Sequence, residues 1–259
     1  MDTAQPLYAE ERRQSILELV DQTGRVTVAE LGQRFGVSDV TIRSDLQALA
    51  DRKFLLRTHG GAVPAATGAA EMAFALRRQR KVREKQRIGQ AGAALVANGD
   101  AIYLDSSSTS LAIAHQLKDR QHLTVVTNSL AIIQELMDAP HITVMVTGGI
   151  LQRETAAFVG PYSQTMLDRV NIKTGFFGAH GIALAPGLTD VSSEIAAAKR
   201  PMLDHCQQAI AVVDASKWGR IGVASFAAIA EMDIIITDDT APEADVTAAR
   251  AVGVNVRIV

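Results

Sequence analysis

The chain has one cysteine, Cys206, among 259 residues. That excludes an internal disulfide and a thiolate metal cluster, and its place in the apolar-periodic stretch "AAAKRPMLDHCQQAIAVV" reads as a buried, inert thiol. No apolar run approaches the roughly 18 residues needed to span a bilayer. The opening "MDTAQPLYAEERRQ" lacks a basic segment followed by an apolar core, so no signal peptide is read there and the cytoplasm is the expected address. An excess of one charge is missing too: the net charge is −2, so any surface for nucleic acid must be local. Internal repeats and low-complexity tracts are absent. What is present, 47% apolar and 21% charged residues, is ordinary for a globular chain and excludes a mostly disordered one. The length suits one small module and one larger one.

The two parts follow different patterns. Residues 1–63 read as short helices separated by tight turns. "YAEERRQSILELVDQTG" places Ile16, Leu17, Leu19 and Val20 on one side of a helix that stops at Gly24. Thr27 and Glu30 have the spacing of a capping box for a helix over Val28 to Phe35, and Ser38 is a good N-cap for a third helix running to about Ala50. "FLLRTHGGAV" then reads as a strand, a Gly-Gly turn and a strand. Residues 64–98 read as a linker, "PAATGAA", followed by one long connecting helix that closes at Asn98-Gly99. Its basic residues, Arg77, Arg78, Arg80, Lys81, Arg83, Lys85 and Arg87, spread around the axis and read as a solvated face. From 99 to 259 the runs "AIYL", "LTVVT", "ITVMVT", "GFFGA", "AIAVVD", "DIIITD" and "VNVRIV" alternate with helical stretches. Near-continuous apolar strands in that rhythm predict an α/β fold built on a mainly parallel sheet.

The third helix carries the first chemical signal. At 100° per residue Ile42, Leu46 and Leu49 form one apolar stripe, and Val40, Ser44 and Gln47, flanked by Thr41 and Arg43, occupy the other side. A solvated face usually offers Glu and Lys. Arg, Gln and Val instead match guanine, adenine and the thymine methyl in a major groove. With a capped helix before it and a hairpin after it, this is the arrangement of a winged helix-turn-helix. Thr27, Ser38, Arg57 and His59 complete the candidate DNA-binding set, and Arg52 and Lys53 are further candidates for phosphate contacts, which position a protein without reading sequence.

"ERRQSILELVDQTGRVTVAELGQRFGVSDVTIRSDLQALADRKFLLRTHGGAV" resembles the N-terminal domain of the DeoR family of bacterial transcriptional repressors, with its Val-Ser-x-x-Thr-Ile-Arg helix and Arg-x-His-Gly-Gly-Ala wing. Ser44 departs from the family, which often has a second Arg there, and Lys53-Phe54 replaces the usual Gly-containing turn.

In the larger part, "AIYLDSSSTSLAIAHQL" places Asp105, Ser106, Ser107, Ser108 and Thr109 between a buried strand and a helix. Free amides at a helix N-terminus with added hydroxyls make an anion site. The same residues are also good N-caps, and the motif alone does not separate the two readings. Other strand ends carry Thr127, Asn128 and Ser129; Gly148 and Gly149; Gly178; and Lys217. Ligands of open α/β sheets bind outside the carboxyl ends of strands, so these residues describe a pocket for a phosphorylated polyol. Lys217 is a candidate for the phosphate or a hydroxyl, and Asp105 and Glu194 are candidates for hydroxyls. "TNS", "GG", "FVG", "GLTD" and "DASKWG" also resemble, in order, the DeoR-family effector domain. The resemblance implies a fold similar to ribose-5-phosphate isomerase and a domain that senses a phosphorylated sugar or sugar-like metabolite.

The expected function is therefore a homo-oligomeric repressor of a carbohydrate operon, released from double-stranded operator DNA by that effector. It needs no membrane, cofactor or metal, and no catalytic residue is assigned. Two alternatives stay open. One is an isomerase-like enzyme with a DNA-binding appendage, for which Asp105, Asp190, Glu194 and Lys217 supply candidate bases. The other is a constitutive DNA-binding protein whose large half only dimerises.

Overall fold

The computed structural model describes residues 8–51, 54–64, 74–160 and 170–259. Arg52, Lys53 and most of the "PAATGAA" linker lie outside those residues. The chain divides into two compact units, Met1–Arg80 and Lys81–Val259.

In the first unit, helices α1 (Ala9–Thr23), α2 (Val28–Phe35) and α3 (Asp39–Asp51) precede a hairpin of β2 (Leu55–Thr58) and β3 (Gly61–Pro64). The capping box forms. The Thr27 hydroxyl accepts the Glu30 amide at 3.2 Å, and the Glu30 carboxylate accepts the Thr27 amide at 2.9 Å. The Ser38 hydroxyl accepts the Thr41 amide at 3.2 Å and so starts α3. Ile16, Leu17, Val20, Leu31, Ile42, Leu46, Leu49 and Leu55 bury together as one core, which gives each helix its inward face. A two-residue strand, β1 (Val26–Thr27), pairs antiparallel with β3 and makes the wing three-stranded. Sequence reading missed β1 because its residues also serve the helix cap.

The connecting helix is not continuous. It forms α4 (Phe74–Gln79) in the first unit and α5 (Val82–Ala93) in the second, with Lys81 between them at a positive φ of 53°. Its basic residues are solvated only in part: Arg78, Arg83 and Arg87 are exposed, but others are not. Lys85 is 5% exposed, Lys81 pairs with Glu84 at 3.0 Å, and Arg87 pairs with Asp239 at 2.7 Å. A helix packed on a sheet must turn some side chains inward, and here those include a lysine. Charge counting alone could not reveal which.

The second unit is built on a seven-stranded, wholly parallel sheet. Its strands are β4 (Ala101–Leu104), β5 (Leu123–Thr127), β6 (Ile142–Val146), β9 (Ile172–Phe177), β12 (Cys206–Val212), β14 (Ile234–Thr237) and β15 (Asn255–Ile258), in the order β15-β14-β12-β9-β4-β5-β6. All seven predicted apolar runs are in it. The helices α6 (Ser108–Gln116), α7 (Leu130–Leu136), α8 (Ser193–His205) and α9 (Glu243–Ala251) alternate with the strands. Two smaller antiparallel pieces were not foreseen. One is the hairpin β7 (Ile150–Gln152) and β8 (Ala157–Val159); the other is the sheet of β10 (Gly181–Ala183), β11 (Gly187–Asp190) and β13 (Ala224–Ala227). Their strands are short and carry no long apolar run. Cys206 opens β12 and is only partly buried, yet burial pushes its thiol up to about 12.

Helix α3 is tied to α1 by charge as well as by packing. Asp45, 2% exposed, accepts from Arg12 Nε at 2.7 Å and from Arg13 Nε at 2.8 Å. Arg12 is itself buried, so the carboxylate has no aqueous substitute. Replacement Asp45→Ala withdraws that anion and is expected to destabilise the first unit by about 3 kcal/mol, measured by denaturant unfolding.

Candidate functional site

In the first unit the predicted recognition residues line one outer surface. Val40 is 75% exposed, Ser38, Arg43, Ser44 and Gln47 are exposed, and Thr41 is half-buried. Arg57 and His59 are exposed on the wing. The structure joins two of these. Arg57 Nη1 donates to Gln47 Oε1 at 2.6 Å, and Gln47 Nε2 donates to Asp51 at 2.7 Å, so wing and recognition helix share one hydrogen-bond chain. Thr27 and Ser38 contribute mainly as caps.

In the second unit the chain runs β4 to β6 on one side of the sheet and β9 to β15 on the other, so the direction reverses between β4 and β9. A crevice outside the carboxyl ends of strands at such a reversal is where open α/β sheets bind ligands. The two loops there are Asp105–Ser107 and the segment beginning at Gly178. They approach so closely that a Cβ on Gly178 would lie 2.4 Å from the Ser107 Cβ, which no larger residue permits.

A buried ion cluster holds this arrangement. Asp105 is fully buried. Its Oδ1 accepts the Ser107 amide at 3.1 Å and the Ser110 hydroxyl at 2.6 Å, and its Oδ2 accepts the Gly178 amide at 2.8 Å. The same Oδ2 is 2.8 Å from Lys199 Nζ. Lys199, 2% exposed on α8, also donates to Asp190 at 2.6 Å and to the Gly178 carbonyl at 2.7 Å, and it lies 4.9 Å from the Phe226 ring centroid. Asp105, a candidate for a ligand hydroxyl, has both carboxylate oxygens enclosed and bonded within the frame. Neither Lys199 nor its pairing was read from the sequence; a lysine inside an otherwise apolar helix run was the available signal.

Several other candidates are also framework groups. Thr127 donates to the Leu104 carbonyl at 2.6 Å and accepts the Ser129 amide at 3.1 Å. Asn128 accepts from Tyr103 at 3.3 Å and donates to the Phe158 carbonyl at 3.2 Å, while Ser129 caps α7. Gly148 and Gly149 have φ of 75° and 118°, and the close pass of Val159 at Gly149 makes them a turn into β7. Glu194 is exposed at the start of α8, where its own backbone amide, Ser192 and Ser193 lower its carboxyl. The structure does not join it to the crevice loops.

What faces the crevice is smaller and more specific. Ser107 caps α6 through its hydroxyl, which accepts the Ser110 amide at 3.0 Å. Ser106 and Thr109 are 3% and 5% exposed. Ser108 is half-buried in the first helical turn, whose amides are not bonded within the helix. At the end of β12, Lys217 is half-buried on the turn Ala215–Lys217. Burial raises the Asp214 carboxyl there, but Lys217, Lys85 and Ser216 outweigh it and hold it below the usual range. Lys85 is thus a second cation near these strand ends, and sequence reading had placed it on a solvated face.

Residues 12–67 match the sequence profile described as DeoR-like helix-turn-helix domain, and residues 80–239 match that of the DeoR C terminal sensor domain. The HTH-type transcriptional regulator YulB of Bacillus subtilis is 34% identical over 92% of this chain and 92% of its own length. The glycerol-3-phosphate regulon repressor of Escherichia coli is 30% identical over 90% of this chain and 92% of its own. Among solved structures, ribose 5-phosphate isomerase A of Methanocaldococcus jannaschii aligns with 52% of this chain and 53% of its own at 16% identity and a TM-score of 0.39.

Two outcomes follow. Arg43→Ala is expected to lower affinity for cognate DNA by about 1–3 kcal/mol while leaving affinity for random DNA nearly unchanged, read by titration of both. For Lys199, burial lowers the ammonium pKa, but Asp105 and Asp190 outweigh it and hold it above the ordinary lysine value. Stability from that charge is complete below the unfolded value of about 10.4 and is lost as pH rises through the raised folded value. The thermal midpoint should therefore lose an increment above about pH 10 that is absent in Lys199→Met.

Proposed function

We propose that this chain, which belongs to the DeoR family of transcriptional regulators, is a homo-oligomeric repressor of a carbohydrate operon whose larger unit senses a phosphorylated sugar or polyol. The observation that carries this is the Ser106–Thr109 turn. Two nearly buried hydroxyl-bearing residues, Ser106 and Thr109, stand with the first-turn amides of α6, and a phosphate can accept from both kinds of donor. Lys217 supplies a cation at a neighbouring strand end. The similar glycerol-3-phosphate regulon repressor makes a phosphorylated three-carbon polyol a natural member of the ligand class.

Sensing is favoured over turnover by the state of the carboxylates. A general base must reach the C–H it deprotonates. Asp105 and Asp190 are enclosed and paired with Lys199, and Glu194 is engaged at its own helix start. On this reading the effector stabilises an arrangement of the oligomer in which the winged helices no longer match the half-site spacing, and the cytoplasm is where both partners meet.

The test is thermal unfolding of the full chain against a panel of phosphorylated sugars and polyols, since a ligand that binds only the native state raises the midpoint. A ligand that does so should weaken binding to DNA selected by the protein from a random pool by about 5- to 150-fold. Thr109→Val and Lys217→Ala should abolish both effects. A panel with no active member, or a ligand that is consumed, defeats this reading.

A further inference from the structure

The geometry points to Lys199 as a positioning residue that makes the Ser106–Thr109 turn able to accept an anion, by cancelling the charge of Asp105 directly beneath it. This rests on the reading that a phosphate-bearing effector seats on that turn. Asp105 lies one residue before Ser106, and its Oδ1 bonds the Ser107 amide and the Ser110 hydroxyl, so a carboxylate is built into the base of the anion site. Beside a fully buried carboxylate a second anion is repelled more strongly than in bulk water. Lys199 Nζ sits 2.8 Å from Asp105 and 2.6 Å from Asp190, so among these three groups two carboxylates share one ammonium. Without the ammonium one positive charge is lost, and the carboxylate of Asp105 loses its paired cation.

Lys199 also sets geometry. It bonds the Gly178 carbonyl at 2.7 Å while Asp105 holds the Gly178 amide at 2.8 Å, so both walls of the crevice hang from one ion pair. The ammonium belongs to α8, which packs on β11 and β13, so the ion cluster ties the turn to that layer.

A merely structural ion pair and a charge-cancelling one predict different behaviour when both partners are changed. Lys199→Met makes the cluster more negative by one charge. The double variant Lys199→Met with Asp105→Asn returns it to the parent's charge, yet has no ion pair between these positions. The probe is inorganic phosphate, titrated at constant ionic strength against the full chain, with the thermal midpoint as readout.

The parent midpoint should rise with phosphate. Lys199→Met should need roughly ten-fold more phosphate or beyond for the same rise, the size expected for an added charge near the site. The double variant should recover most of that loss. A Lys199→Met response equal to the parent's, or a double variant as weak as the single one, overturns the inference. Should the single variant not fold, the double variant decides alone: a retained phosphate response supports charge cancellation, and a lost one overturns it. A parent that ignores phosphate defeats the phosphate-sensor reading itself, and the inference with it. A parent and a single variant that respond equally defeat the inference alone.

Discussion

The larger unit depends on the contact between Lys199 and the carboxylates of Asp105 and Asp190. Charges taken out of water are tolerated only with close, directional partners. This cluster provides them from four places at once: the end of β4, the loop after β9, the end of β11 and the middle of α8. The sheet brings β4 and β9 side by side, but apolar strands alone leave the loops beyond them free to settle in many ways. The ion cluster, with the missing side chain at Gly178, selects one. Asp105 takes the Ser107 amide and the Ser110 hydroxyl, so these two donors of the turn are bound within the frame.

The winged-helix unit uses the same device on a smaller scale. Ile42, Leu46 and Leu49 drive α3 into the core, but an apolar stripe tolerates small rotations of a helix about its axis. Asp45, gripped by Arg12 and Arg13, does not. The face carrying Val40, Arg43 and Gln47 is aimed by packing on one side and by a fixed carboxylate on the other. The chain from Asp51 through Gln47 to Arg57 then ties that face to the wing.

The basic helix shows how a charge pattern changes meaning in a fold. As a sequence, Arg77 to Arg87 is a run of cations with Glu84 as its only acid. Folded, α5 lies on the sheet, Lys85 is buried near Asp214, and Arg87 reaches an aspartate 152 positions away. A distant aspartate is invisible to any local window.

Local patterns by themselves determined the alternation of strands and helices, the helix caps at Thr27 and Ser38, the apolar stripe of α3 and the exposed residues opposite it. These follow from periodicity and from side chains that bond their own backbone within a few positions, so they are legible wherever they occur. The strand-end turn at Ser106–Thr109 was legible as a place, since it sits where an apolar run gives way to small polar residues. Tertiary structure alone decided which of those polar residues are bonded within the framework. Asp105, Thr127, Asn128 and Ser129 look like ligand groups in sequence and are framework groups in the fold. Lys199 looked like part of an ordinary helix and proved central. The reason is that hydrogen-bond satisfaction and burial are properties of pairs brought together by the fold, some of them as far apart as Asp105 and Gly178 at 73 positions, and no single position carries that information.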